Sequence, residues 1–282
     1  MRRILCVVSA LSVLASAQTK RGRTSATTHG SRTHGPSRGS LLLQGGVGDS
    51  EEIGSAFRTL AGGAGAHIVV IPTASVGDAG PPGMEDFLMR RNKVRFGVGR
   101  VTVLHSLDRA TSDSESFVEP LGRATGVWIL GGFPGHLINS YLGTKTERAI
   151  RKVLDRGGVV GGESAGAMIQ ASWMDATDND FTPEMSALIQ ANVRSGFGLL
   201  TRSAIFPHFD KRGAEAVLRF SAEHPDEFGI GIDEETALIV TSDVGRVVGR
   251  GRVSVYDGRH RPTNPLVFRN GERFDLAAWK RK

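Results

Sequence analysis

The sequence holds one cysteine, Cys6, and only 6% aromatic residues. Cys6 lies in the opening stretch MRRILCVVSALSVLASAQ, where Arg2 and Arg3 precede an apolar run from Ile4 to Leu14. Ala15-Ser16-Ala17 then supplies a small-x-small cleavage pattern. This start predicts a secretory signal peptide, residues 1–17, cut after Ala17, and hence a protein exported to the periplasm or beyond. The mature chain would have no thiol, which excludes disulfides, thiolate nucleophiles and cysteine-based metal sites. Later apolar runs are too short for a membrane helix, so no membrane association is expected once the signal is removed.

Excess positive charge is also missing from the body of the chain. Residues 1–40 hold seven basic residues and no acid. Of 35 basic and 29 acidic residues overall, 28 and 29 therefore fall in residues 41–282. A near-neutral domain lacks the electrostatic footprint of a nucleic-acid binder. Residues 18–40 contain almost nothing apolar and read as a disordered basic linker, with His29 and His34 solvated rather than metal-bound. The remainder, residues 41–282, is long enough for one domain with a substantial core.

In that domain short β-rich runs alternate with helical patterns. Strands are predicted at Leu41–Gln44, His67–Ile71, Val101–His105, Val127–Leu130 and from Val159. Helices are predicted at Glu51–Ala61, Met84–Phe96, Ser114–Arg123, Thr146–Asp155 and Ala165–Ala171. The strands are continuous apolar runs, as expected when both faces of a sheet are buried. The reading is an α/β fold, a mostly parallel sheet flanked by helices. After residue 228 the pattern changes to "GIGIDEETALIV" and "GRVVGRGRVSVYDG", which predict short antiparallel strands extending or closing the sheet.

Within "GGVVGGESAGAMIQ", Gly162-Glu163-Ser164-Ala165-Gly166 joins a strand to a helix. Gly-x-Ser-x-Gly in that setting is the pattern of a nucleophile elbow. A sharp turn exposes the hydroxyl, small neighbours let other backbone approach, and the helix N-terminus favours a developing oxyanion. A serine nucleophile needs a base. Of the six domain histidines, His67 opens a strand and so lies at the wrong end of the sheet, while His224 and His260 sit in polar turns. His105, His136 and His208 remain, each at or after a strand end. His208 lies between an apolar run and a helix, as Ser164 does. Asp175, Asp178, Asp180 and Glu184 are the acids between Ser164 and His208 able to orient a base. Gly131-Gly132, after another strand, can present an N–H to an oxyanion.

"WILGG" at 128–132, "GGESAGAMI" at 161–169, "PHFDKRG" at 207–213 and "GIGIDEETALIV" at 229–240 together resemble the cyanophycinase and dipeptidase E family of serine peptidases. The resemblance implies a fold like the class I glutamine amidotransferase domain. It also implies Ser164 as nucleophile, His208 as general base, and the N–H groups of Gly132 and Ala165 as oxyanion donors. For the third catalytic member, "TDND" at 177–180 is similar to a dipeptidase segment and points to Asp180, with Glu184 and Asp178 as alternatives. No metal or organic cofactor is implied, and a homodimer is.

The resemblance is incomplete where substrate would be read. Phe133-Pro134 follows Gly131-Gly132 where cyanophycinases carry Asp-Gln, and Phe206-Pro207 precedes His208 where Asp-Gln is again usual. Ala214 and Val217 stand at positions often basic in the family, while Arg212 matches a family arginine suited to a substrate carboxylate. Phe133, Pro134 and Arg212 are thus the expected substrate-binding residues, in a rebuilt pocket. Asp233 and Glu234 are expected to hold a strand end near the site. The resulting expectation is a serine peptidase acting on a small peptide or isopeptide, either aspartyl or cyanophycin-like. Two competing expectations are a non-catalytic binding protein on the same fold and a serine esterase of the α/β-hydrolase type. The short 44-residue step from Ser164 to His208 argues against the esterase.

Overall fold

The computed structural model describes residues 34–46, 48, 50–76, 81–174, 195–277 and 280–281. The elements in chain order begin β1 (Ser40–Gln44), α1 (Glu51–Leu60), β2 (His67–Ile71), α2 (Met84–Phe96), β3 (Arg100–Val103) and α3 (Arg109–Ser112). They continue α4 (Glu115–Arg123), β4 (Gly126–Ile129), α5 (Pro134–Tyr141), α6 (Lys145–Asp155), β5 (Val159–Glu163) and α7 (Ala165–Met168). Next come β6 (Ala171–Trp173), β7 (Leu200–Phe206), α8 (Phe209–Arg212), α9 (Glu215–Glu223) and β8 (Phe228–Ile232). The chain finishes with β9 (Thr236–Thr241), β10 (Val244–Gly249), β11 (Arg252–Asp257), β12 (Arg261–Arg269), β13 (Arg273–Asp275) and β14 (Lys280–Arg281).

The main sheet runs β14-β13-β10-β9-β1-β5-β4-β2-β3. Its strands β1, β5, β4, β2 and β3 are parallel, and β9 joins β1 antiparallel. Alternate residues of one strand enter different cores. Leu42, Ile68, Val70 and Trp128 face Phe57 of α1 and Phe96 of α2. Leu41, Leu43, Val69 and Ile129 face Tyr141, Ile150 and Val153 of α5 and α6. Burial on both faces is why these strands read as unbroken apolar runs. A second sheet, β12-β11-β8-β7-β6, pairs β6, β7 and β8 in parallel and adds β11 and β12 antiparallel. The C-terminal strands thus both extend the main sheet and complete a second one. The α/β fold with its mostly parallel, helix-flanked sheet is the predicted class.

Three expectations need correction. The disordered linker does not reach residue 40: His34 is buried, its N–H donates to Asp243 Oδ1 at 2.6 Å, and its ring meets Phe228 edge-on. A polar segment packs here because a distant carboxylate takes its backbone donors, a partner that composition cannot show. The helix after Ser164 is shorter than predicted, since Leu199 and Leu200 N–H groups take the Gln170 carbonyl and the chain turns into β6. Helix α5 was not predicted at all. Its start, Phe133-Pro134-Gly135, looks like a loop, yet proline fits the first helical turn, where its missing N–H has no partner to lose.

Candidate active site

Parallel strands β1, β5, β4 and β2 end on one side of the main sheet, and β5 delivers Ser164 there. Ser164 has φ 53° and ψ −117°, a strained conformation outside the usual regions. Two glycines permit the turn. A Cβ on Gly162 would lie 2.4 Å from the Gly166 carbonyl oxygen, and one on Gly166 would lie 2.1 Å from that of Ile129. The Ser164 N–H donates to the Gln44 carbonyl at 3.0 Å, tying the turn to the end of β1. The Gly131-Gly132 turn after β4 passes beside the serine, where a Cβ on Gly131 would come within 3.0 Å of Ser164 Cβ. Gly132 has φ 134° and lies against the Ala74 carbonyl, which accepts the Phe133 N–H at 2.8 Å. Ala165 opens α7 directly behind the hydroxyl, where first-turn N–H groups have no intrahelical acceptor.

His208 follows β7 in a left-handed conformation, φ 54° and ψ 34°. Its N–H donates to the Gly45 carbonyl at 2.7 Å. Gly46 lies against the ring: a Cβ there would be 2.2 Å from Cε1. Nε2 sits 2.9 Å from Ser164 Oγ, and Nδ1 sits 2.8 Å from Glu234 Oε1. With the carboxylate ionised, Nδ1–H donates to Glu234 and leaves the Nε2 lone pair facing the serine hydroxyl. Glu234 lies in the turn between β8 and β9, and its own N–H donates to Asp210 Oδ1 at 2.8 Å. The preceding Asp233 accepts from the Arg252 N–H at 3.0 Å and forms an ion pair with the Arg252 guanidinium, whose Nε lies at 3.3 Å, while burial pushes its carboxyl above the usual range.

The acid on His208 is therefore Glu234, expected from the sequence only to hold a strand end near the site. The four acids named from the sequence, Asp175, Asp178, Asp180 and Glu184, lie outside the described residues. The missed signal was topological: β8 pairs in parallel with β7, so both strand ends fall on one side and Glu234 lands beside His208. Among the other histidines, His105 bonds Thr73 Oγ1, His136 bonds the Thr73 carbonyl, and His67 bonds Thr102 Oγ1. Arg212 ends α8 one turn after His208 and is exposed. The Phe133 ring folds over Gly135 and His136 at the mouth of α5. Pro134 is buried as the first residue of α5, so it shapes the site through the helix start and not by contact with substrate. Phe206, Val217 and Phe220 pack in one apolar cluster with Phe209, and Ala214 packs against it. These apolar residues are a small core, which explains why side chains there are not polar. Among the described residues, no group of three His, Cys, Asp or Glu is placed to hold a metal, and no helix is long and apolar enough to cross a membrane.

Residues 41–248 match the pattern of peptidase family S51. The chain belongs to that family. Its curated relatives include a cyanophycinase of Synechococcus elongatus, 31% identical over 242 residues, covering 83% of this chain and 72% of the relative. A cyanophycinase of Geminocystis herdmanii is 29% identical, covering 79% and 82%. Among solved structures, a peptidase from an acI-B1 actinobacterium superposes with a TM-score of 0.67 at 25% identity, covering 84% of this chain and 97% of that one. A putative peptidase E protein from Listeria monocytogenes EGD-e shares the fold, with a TM-score of 0.55 at 15% identity, covering 76% and 99%. Membership of family S51 makes this chain a peptidase, a hydrolase of peptide substrates, on the fold that the motifs led us to expect.

Proposed function

We propose that this family S51 member is an exported serine peptidase that works through Ser164, His208 and Glu234. The observation that carries the reading is the unbroken line from Ser164 Oγ through the His208 ring to Glu234, with contacts of 2.9 and 2.8 Å. His208 Nε2 takes the proton as Ser164 Oγ attacks the peptide carbonyl. The oxyanion is held by the N–H groups of Gly132 and Ala165, and Glu234 stabilises the imidazolium. The imidazolium then protonates the leaving amine, and an acyl-enzyme remains. Water, deprotonated by His208, releases the acid and restores the serine. No metal or organic cofactor enters these steps.

The substrate we propose is a short peptide or isopeptide of aspartyl or cyanophycin-like type, in keeping with the names of the relatives. Arg212 is the residue we assign to a substrate carboxylate, and Phe133 to an apolar wall of the pocket. Export rests on the Arg2-Arg3 start and the apolar run behind it. A homodimer is proposed by the family resemblance alone. The test is covalent labelling by a fluorophosphonate, read by intact mass. The wild type should gain one adduct on Ser164, and Ser164→Ala and His208→Ala should gain none. A folded wild type that stays unlabelled would leave a binding protein on a peptidase fold.

A further inference from the structure

A polar cluster lies under the triad, on the sheet face covered by α1 and α2. Gln44 ends β1, Glu163 ends β5, and the two are register partners. Arg95, in the last turn of α2, joins them. One guanidinium nitrogen donates to Glu163 Oε2 at 3.0 Å and to Gln44 Oε1 at 3.2 Å. The guanidinium carbon lies 4.6 Å from the centroid of the Trp128 ring. The Arg95 side chain is only 4% exposed and that of Glu163 20%. Buried pairs of this kind are often no better for stability than apolar residues of equal volume, because both ions lose hydration. Stability alone is therefore a weak reason for this cluster.

Its connections supply a better one. Glu163 directly precedes Ser164. The Gln44 carbonyl accepts the Ser164 N–H at 3.0 Å. The Gln44 side-chain amide donates to the carbonyls of Gly46 and Gly48 at 2.9 and 3.0 Å. That loop is the one against which His208 rests, through the Gly45 carbonyl and the bare Cα of Gly46. Arg95 thus ties the turn that carries the nucleophile to the loop that cradles the base. Both Ser164 and His208 have positive φ, a conformation that persists only when its surroundings over-determine it.

We propose that Arg95 is a positioning residue which, through Glu163 and Gln44, fixes the register between Ser164 Oγ and His208 Nε2. The inference rests on the serine-peptidase reading for its kinetic consequence. Three proteins test it: the wild type, Arg95→Met, and the double variant Arg95→Met/Glu163→Met, which removes both charges and keeps the volume. The double variant guards against a single variant that fails to fold. For each, the melting temperature, the fluorophosphonate labelling rate and the proton resonance of His208 Nδ1 are measured. A misplacement of about 1 Å slows reaction by about a hundredfold. The double variant should therefore keep the wild-type melting temperature, label about a hundredfold more slowly and show a shifted or broadened Nδ1 proton. A folded double variant with wild-type labelling and an unmoved resonance would overturn the inference and leave the pair a packing feature. An unlabelled wild type whose Nδ1 proton still moves in the variants would overturn the serine-peptidase reading while upholding the positioning role.

Discussion

Replacing Glu234 by Gln separates the geometric assignment of the acid from the one suggested by the sequence. The side chains are isosteric, so the 2.8 Å contact to His208 Nδ1 survives in outline. Two things change. The amide can donate to Nδ1, which puts the ring proton on Nε2 and turns the wrong tautomer toward Ser164. The imidazolium formed during attack also loses its counter-charge. With charge centres about 4 Å apart and an effective dielectric near 20, that attraction is about 4 kcal/mol. At about 1.4 kcal/mol per factor of ten, labelling of Ser164 should slow by about a thousandfold. The assay is the pseudo-first-order rate of fluorophosphonate labelling, with circular dichroism confirming the fold. Asp178→Asn, Asp180→Asn and Glu184→Gln, measured alongside, should each change the rate by less than about threefold. A Glu234→Gln protein labelling within about tenfold of wild type, with one of the other three variants crippled, would refute the assignment.

The same geometry sets further outcomes. Gly46→Ala would set a Cβ 2.2 Å from His208 Cε1 at φ 147°, so the ring must move and labelling should fall about a hundredfold in a protein that still folds. Phe57 is fully buried and meets the Phe96 and Trp128 rings at 4.9 Å, so Phe57→Ala should cost about 3–5 kcal/mol in urea unfolding. The chain has two tyrosines, and burial raises both, Tyr141 to about 12. An acid raised in the folded state contributes stability that is intact below its ordinary value and is lost as pH climbs through the raised one. Unfolding free energy should therefore fall between pH 10 and about 12, and near-ultraviolet phenolate absorbance should appear late, together with unfolding.

Much of the fold was legible because the parallel strands are buried on both faces. Runs such as Leu41-Leu42-Leu43 and Ile68–Ile71 have no polar residue to blur them, and in the structure Ser50 and Ser114 cap the helices that follow. Ser164 was legible because the glycines that its turn requires stand beside it in sequence. His208 stood out for its place between a strand and a helix. The rest depends on partners far apart in the chain. Glu234 meets His208 only through the β7–β8 pairing, and His34 is held by a carboxylate 209 residues away. Arg95 looks like a surface charge in the cationic stretch MRRNKVRF until the fold turns it under β1 and β5. Helix α5 hid because its first residues carry the signature of a loop.

The central claim is that Ser164, activated by His208, cleaves a peptide bond. The most direct measurement incubates purified residues 18–282 with a mixed library of short peptides and tracks the products by mass spectrometry. The library should include α-aspartyl, β-aspartyl and arginyl-aspartate compounds, and Ser164→Ala serves as the control. The account predicts hydrolysis of at least one class by the wild type and none by Ser164→Ala. Equal hydrolysis by both proteins, or none by a folded wild type across the library, would contradict it.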